Sequence, residues 1–231
     1  MNDTLFQALA LIVPMIMAIV FHEVAHGLTA RALGDPTAAE MNRLSLNPLR
    51  HVDPFGTIVL PGLLALMKAP VFGWARPVPV NMRRLRNPRS GMMLVAIAGP
   101  ATNLVMAGVG AVLLGLLGKD IGPEPVKGTL RAFLMLNAFN FVLLNVFLAL
   151  FNLLPVPPFD GSHVVEGLLP RELALRYRGL RRYALPLMIG LLVVLPTISP
   201  QLDVVGRLVR PPVDWLTGEY LNLAAWVAGA G

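Results

Sequence analysis

The sequence predicts a polytopic α-helical membrane protein with about four to five transmembrane helices, a re-entrant element and a small β hairpin or sheet at the membrane surface. Three observations carry that expectation. Hydrophobic residues fill 55% of the 231 positions and charged ones only 14%. The mean hydropathy is +0.66. The apolar residues also gather in runs as long as the roughly 20 helical residues that a bilayer core requires. A chain this poor in polar side chains cannot coat a soluble globule.

The first run, Leu5 to Leu33, lacks both a basic leader and a small-residue cleavage site, so it reads as a retained helix and not a signal peptide. The stretch Phe55 to Met67, FGTIVLPGLLALM, is broken by Pro61-Gly62 and is too short to span, which suggests a re-entrant or interfacial piece. Met92 to Leu117 and Leu130 to Leu154 are long enough to cross. Tyr183 to Ile198, shortened by Pro186 and Pro196, is a marginal fourth span. Within the 92–117 run, Gly99, Asn103, Ala107, Ala111 and Gly115 recur every four residues, a ridge of small side chains suited to close helix contact. The segments MNRLSL and PVPVNM alternate between Asn-Pro turns and suggest the surface hairpin, with the prolines confining PVPV to an edge. The tail, 201–231, carries Trp215, Tyr220 and Trp226 and reads as interfacial and amphipathic. Residues 1–231 therefore form a single membrane core, with no hydrophilic stretch long enough for an added domain.

There are 19 basic and 13 acidic residues, a formal charge of +6. A nucleic-acid partner is nonetheless not expected, because the arginines cluster beside apolar runs. Arg76, Arg83, Arg84, Arg86 and Arg89 occupy one loop; Arg171, Arg176, Arg178, Arg181 and Arg182 occupy another. Both loops should be cytoplasmic. With a re-entrant 55–67 piece, the N-terminus lies outside and the first helix ends at the cytoplasmic side. The absence of cysteine excludes disulfides and thiol nucleophiles.

The first helix ends in FHEVAH. On a helix, residues four apart share a face, so His22 and His26 can bind one metal ion while Glu23 lies one step round, within reach of a metal-activated water. Two histidines and a glutamate inside an apolar span each cost a few kcal/mol if they have no task (about 2–3 on insertion scales). Catalytic zinc usually takes three protein ligands. The third candidate is Asp160, in FNLLPVPPFDGSHVVEG, where Pro155, Pro157 and Pro158 break the helix and hold the backbone extended near membrane depth.

Together these motifs resemble the site-2 protease family of intramembrane zinc metalloproteases. FHEVAH is similar to that family's HExxH, and NLLPVPPFDG to its second motif; AGPATN, GWARPVPV and NPLRHVDPFGT resemble further elements, the last two those of a compact prokaryotic subgroup without extra soluble domains. The resemblance implies one zinc ion per chain, held by His22, His26 and Asp160, with Glu23 as catalytic base and Asn152 binding substrate backbone. It further implies a transmembrane-helix protein as substrate, in the bilayer of a prokaryotic cytoplasmic membrane, with the active site toward the cytoplasm. Asn103, within AGPATN, is a secondary candidate. The family's Asp-Gly-Gly-His is here Asp160-Gly161-Ser162-His163, and His163 could compete as a ligand. His51 and Asp53 form another pair, for which a turn stabilised by the carboxylate is the plainer account. A substrate helix must unwind before hydrolysis, and the Pro77 to Met82 edge could hold the opened stretch by strand addition. A membrane metal transporter and a non-catalytic membrane chaperone with a metal site are the alternative functions. The oligomeric state is left open.

Overall fold

The computed structural model describes residues 3–67, 73–119 and 129–229. Its helices are α1 (Asp3–Ala32), α2 (Thr37–Glu40), α3 (Leu60–Leu66), α4 (Pro88–Gly118), α5 (Leu130–Asn152), α6 (Gly161–Leu168), α7 (Arg171–Arg178), α8 (Ala184–Ile189), α9 (Leu195–Ile198) and α10 (Val204–Ala228). Helices α1, α4 and α5 pack pairwise into a central three-helix bundle, with α6 against α4 and α10 against both α4 and α5. Among the described residues, four helical stretches are long and apolar enough to cross a membrane: Phe6–Ala32, Pro88–Gly118, Leu130–Asn152 and Arg171–Ile198.

Helix α4 organises the bundle. The five residues spaced by four are all buried, as is Gly110 beside them, and at the glycines different neighbours occupy the space a side chain would fill. A Cβ at Gly110 would meet Phe141 and Val142 of α5 at 3.0 and 3.1 Å; at Gly115 it would meet Val227 of α10 at 2.7 Å; at Gly99 it would meet the His22 ring of α1 at 2.6 Å. The ridge is thus a packing surface, as its spacing suggests, and at Gly99 it also abuts the two histidines. Ala107 and Ala111 join Val142 and Val146 of α5 and Val205, Val209 and Val213 of α10 in one apolar seam.

The tail is one continuous helix. Asp203 caps α10 by accepting from the Gly206 N–H at 2.8 Å. Val205, Val209, Val213 and Thr217 are buried at four-residue spacing, and the Tyr220 hydroxyl donates to the Leu104 carbonyl of α4 at 2.8 Å. Trp215 and Trp226 stay exposed on other faces. The fourth candidate span begins at Arg171, earlier than the Tyr183 read from hydropathy. Its arginine-rich start is held in helix by ion pairs: Arg178 and Arg181 both reach the buried Glu166 of α6, Arg178 at 2.6 Å. Residues 54–66 form a π-helical turn, Pro54–Val59, running into α3; this apolar piece, Pro54–Leu64, is shorter than a bilayer span.

The surface hairpin does not form: among the described residues there is no strand. Residues 73–81 are non-helical, but their backbone groups are claimed by side chains. The Val78 N–H donates to Glu23 Oε2 at 2.8 Å and the Asn81 N–H to Asp35 Oδ2 at 2.5 Å. Arg43 donates to the Arg76 carbonyl at 2.7 Å. Pro77 and Pro79 have no N–H to give, so no ladder can be built.

Asp35 pins this segment to the loop after α1. It is fully buried and also accepts from the Thr37 N–H and hydroxyl. Burial pushes its carboxyl up, but the bonds from Thr37 and Asn81, with Arg84 nearby, outweigh that and hold it below the usual range. A depressed folded-state pKa contributes stability that is complete above the unfolded value, about 3.9, and is lost as pH falls through the folded value. Asp35→Ala is expected to cost about 1–3 kcal/mol above pH 5 and progressively less below pH 4. Chemical unfolding in detergent at several pH values checks this; a cost independent of pH would refute it.

Candidate metal centre

His22 and His26 lie one turn apart on the same face of α1, both buried. Their Nε2 atoms are 3.0 Å apart. Asp160 Oδ2 lies 3.1 Å from His22 Nε2 and 3.2 Å from His26 Nε2. This is the one group of three such donors among the described residues. Two donors on a tetrahedral zinc ion with bonds of about 2.0–2.1 Å lie about 3.3 Å apart, so the triangle has the size zinc requires.

The hydrogen bonds fix what these atoms offer. His26 Nδ1 faces the Val95 carbonyl at 2.7 Å, which can only accept, so that nitrogen carries the proton. His22 Nδ1 faces Asn103 Oδ1 at 2.6 Å. The Asn103 amide cannot be turned round, because its Nδ2 donates to the Ala18 carbonyl at 3.2 Å and to Asn145 Oδ1 at 2.7 Å. In the neutral rings both Nε2 atoms are therefore lone pairs, aimed at a carboxylate oxygen that is buried and receives no hydrogen bond. Three converging lone pairs repel one another unless a cation sits among them, so the residues present fit a divalent ion.

The local fold explains how Asp160 arrives there. Helix α5 ends at Asn152, and the proline-rich stretch turns the chain back so that Phe159 buries against Phe151, with ring centroids 4.6 Å apart. Asp160 is in helical conformation at the start of α6. A Cβ on Gly161 would strike the Leu153 carbonyl and lie 2.5 Å from the Leu154 carbonyl oxygen, so glycine is needed there for close backbone approach and not for a turn.

Glu23 stays outside the triangle, its carboxylate held by the Val78 N–H. Asn152 donates to the Leu148 carbonyl at 2.9 Å within its own helix. The other candidates fall elsewhere. His163 takes a hydrogen bond on Nδ1 from Arg181 at 2.8 Å; burial and that guanidinium push it down to about 4. His51 is buried against the Ser45 carbonyl, 2.7 Å from Nε2. Asp53 caps the 54–59 turn by accepting from the Gly56 N–H at 2.6 Å. Asn145 escapes a reading of the sequence, although an amide inside an apolar helix is a signal for a buried polar task.

The profile of peptidase family M50 matches residues 10–195, a span that holds His22, Glu23, His26, Asn152 and Asp160. The chain belongs to that family, the site-2 proteases, and is a zinc metalloprotease. With its four apolar helices it is an integral membrane protein. It is 43% identical over 169 residues to "Putative zinc metalloprotease YwhC" of Bacillus subtilis, covering 69% of each chain. Rip2 of Mycolicibacterium smegmatis, named in the same words, is 30% identical over 65% of this chain and 54% of its own. No solved structure matches the fold.

Proposed function

We propose that this protein hydrolyses a peptide bond within or near the transmembrane helix of a membrane-protein substrate, with one zinc ion held by His22, His26 and Asp160. The observation that carries the reading is the triangle of two imidazole nitrogens and one carboxylate oxygen with mutual separations of 3.0–3.2 Å. Zinc bound there supplies Lewis acidity, polarising the scissile carbonyl and making water nucleophilic at neutral pH. Glu23 takes a proton from the attacking water. It then gives that proton to the departing amine, so that one water is consumed and one new acid and one new amine are left. The Val78 N–H fixes which way the Glu23 carboxylate faces. Asn152, at the end of α5, offers an amide to the opened substrate backbone, exchanging its bond to Leu148.

Residues 1–231 act as one membrane core, with the 54–66 piece re-entering and not crossing. The arginines of 76–89 and 171–182 lie on the cytoplasmic side of a prokaryotic cytoplasmic membrane, and the site opens toward them. Transport of metal would need ionisable groups strung through several helices, whereas the donors here gather at one level. A chaperone role would use Glu23 only to hold the Val78 N–H and would leave no use for a carboxylate beside the donor triangle.

The test is cleavage of a single-helix membrane substrate by purified protein in detergent. A zinc chelator should abolish cleavage and added zinc restore it. Cleavage that survives complete zinc removal would end the proposal, as would native protein that binds zinc and cleaves no membrane substrate. A periplasmic-side reporter active at Asp3 supports the orientation; one active only in the cytoplasm refutes it.

A further inference from the structure

We infer that Asn145 is a positioning residue for the metal centre, holding His22 in the tautomer and orientation that present Nε2 to the ion. The inference rests on the zinc-site reading above and extends it to a residue on a different helix from every proposed ligand. Asn145 and Asn103 are both fully buried, one on α5 and one on α4. Their bonds run in one direction. Asn145 Nδ2 donates to the Phe141 carbonyl at 2.8 Å, which fixes Asn145 Oδ1 as the acceptor facing α4. Asn103 Nδ2 donates to that oxygen at 2.7 Å, and Asn103 Oδ1 accepts from His22 Nδ1 at 2.6 Å. The Phe141 carbonyl, which can only accept, sets the Asn145 amide, and Asn145 Oδ1 at 2.7 Å is the closer of the two acceptors that set the Asn103 amide, so the relay has a single sense.

Without Asn145, the Asn103 amide keeps Ala18 at 3.2 Å as its remaining acceptor. It can then rotate to present a donor to His22, which would place the ring proton on Nε2 and close that nitrogen to metal. His26 is insulated, since its Nδ1 is held by the Val95 carbonyl. Partners of this kind are worth about 10–100-fold in metal affinity.

Asn140 supplies the control. It lies on the same helix and makes a comparable bond to α1, from Nδ2 to the Ala10 carbonyl at 2.8 Å, with no connection to a histidine. Zinc affinity of the detergent-solubilised full chain is measured by competition with a chromophoric chelator, alongside thermal unfolding. Asn145→Leu should weaken zinc binding at least tenfold, and Asn140→Leu should leave it within about twofold at similar loss of thermal stability. Asn145→Asp, which keeps an acceptor for Asn103, should recover most of the affinity. The d–d spectrum of the cobalt-loaded protein should change for Asn145→Leu and not for Asn140→Leu. Equal effects at the two positions would reduce Asn145 to ordinary packing and overturn the inference. Native-like affinity in Asn145→Leu, with His22→Ala still abolishing binding, would overturn it and leave the zinc site standing. If His22→Ala binds zinc as the native protein does, both readings fall.

Discussion

Replacing Glu23 with glutamine is expected to lower peptide hydrolysis by about 10²–10⁴-fold, the range a general base contributes, with zinc content unchanged. The reasoning is geometric. Glutamine has nearly the shape of glutamate, and its carbonyl can accept from the Val78 N–H as Glu23 Oε2 does at 2.8 Å. The extended segment across α1 should stay in place. Glu23 does not belong to the donor triangle, so the metal should bind as before. What the amide cannot do is take a proton from water and return it to the leaving nitrogen. Steady-state cleavage of a transmembrane substrate, with metal content measured on the same samples, decides the matter. An activity loss below tenfold, or an equal loss of zinc, would remove Glu23 from the role of base.

The second large effect is expected from a single methyl group on a helix that supplies no ligand. In Gly99→Ala, the new Cβ would lie 2.6 Å from His22 Cε1 and collide with His26 Nε2. Both rings are buried, and their Nδ1 atoms are bonded to Asn103 and Val95, one turn to either side of Gly99 on α4. They cannot retreat without breaking those bonds. Zinc affinity should fall by more than the ~100-fold that loss of a supporting partner can cost, and activity with it. Gly108→Ala on the same helix is the comparison, because its Cβ would meet only Tyr220 at an ordinary 3.6 Å. There the gain in helix propensity, up to about 1 kcal/mol, should leave the protein as stable or more so, with full zinc binding. Native affinity in Gly99→Ala would show that α4 sits farther from the histidines than described.

How much of this was legible in the sequence depends on how local the cause was. The 3.6-residue repeat places His22 and His26 on one face whatever surrounds them, and hydropathy finds helices that satisfy their own backbone. Asp160 was legible because an unmatched pair of histidines asks for a third donor and a proline-broken stretch presents one. The surface hairpin was misread for the opposite reason. Alternation in PVPVNM describes side chains, whereas a strand is decided by where its N–H groups go, and those of Val78 and Asn81 go to carboxylates more than forty residues away in sequence. The helical stretch that holds the fourth candidate span starts at Arg171, ahead of the apolar run read from Tyr183, because arginines that pair with Glu166 count as polar in a running average yet are held in helix. Asn145 could not be ranked above Asn137, Asn140 or Asn152 on the same helix; only the position of α4 distinguishes it. His163 and His51 show the converse, residues of the right chemistry turned toward Arg181 and Ser45.

The glycines and alanines of α4 are read by three different helices, α1 at Gly99, α5 at Gly110 and α10 at Gly115. Each added residue turns an α-helix by about 100°. A one-residue insertion or deletion between Gly99 and Gly110 would therefore rotate the two later contacts off the first and drive bulky side chains into the interfaces with α5 and α10. The register of this stretch thus constrains its length more tightly than its composition, and natural changes in chain length should concentrate in the connections outside the bundle.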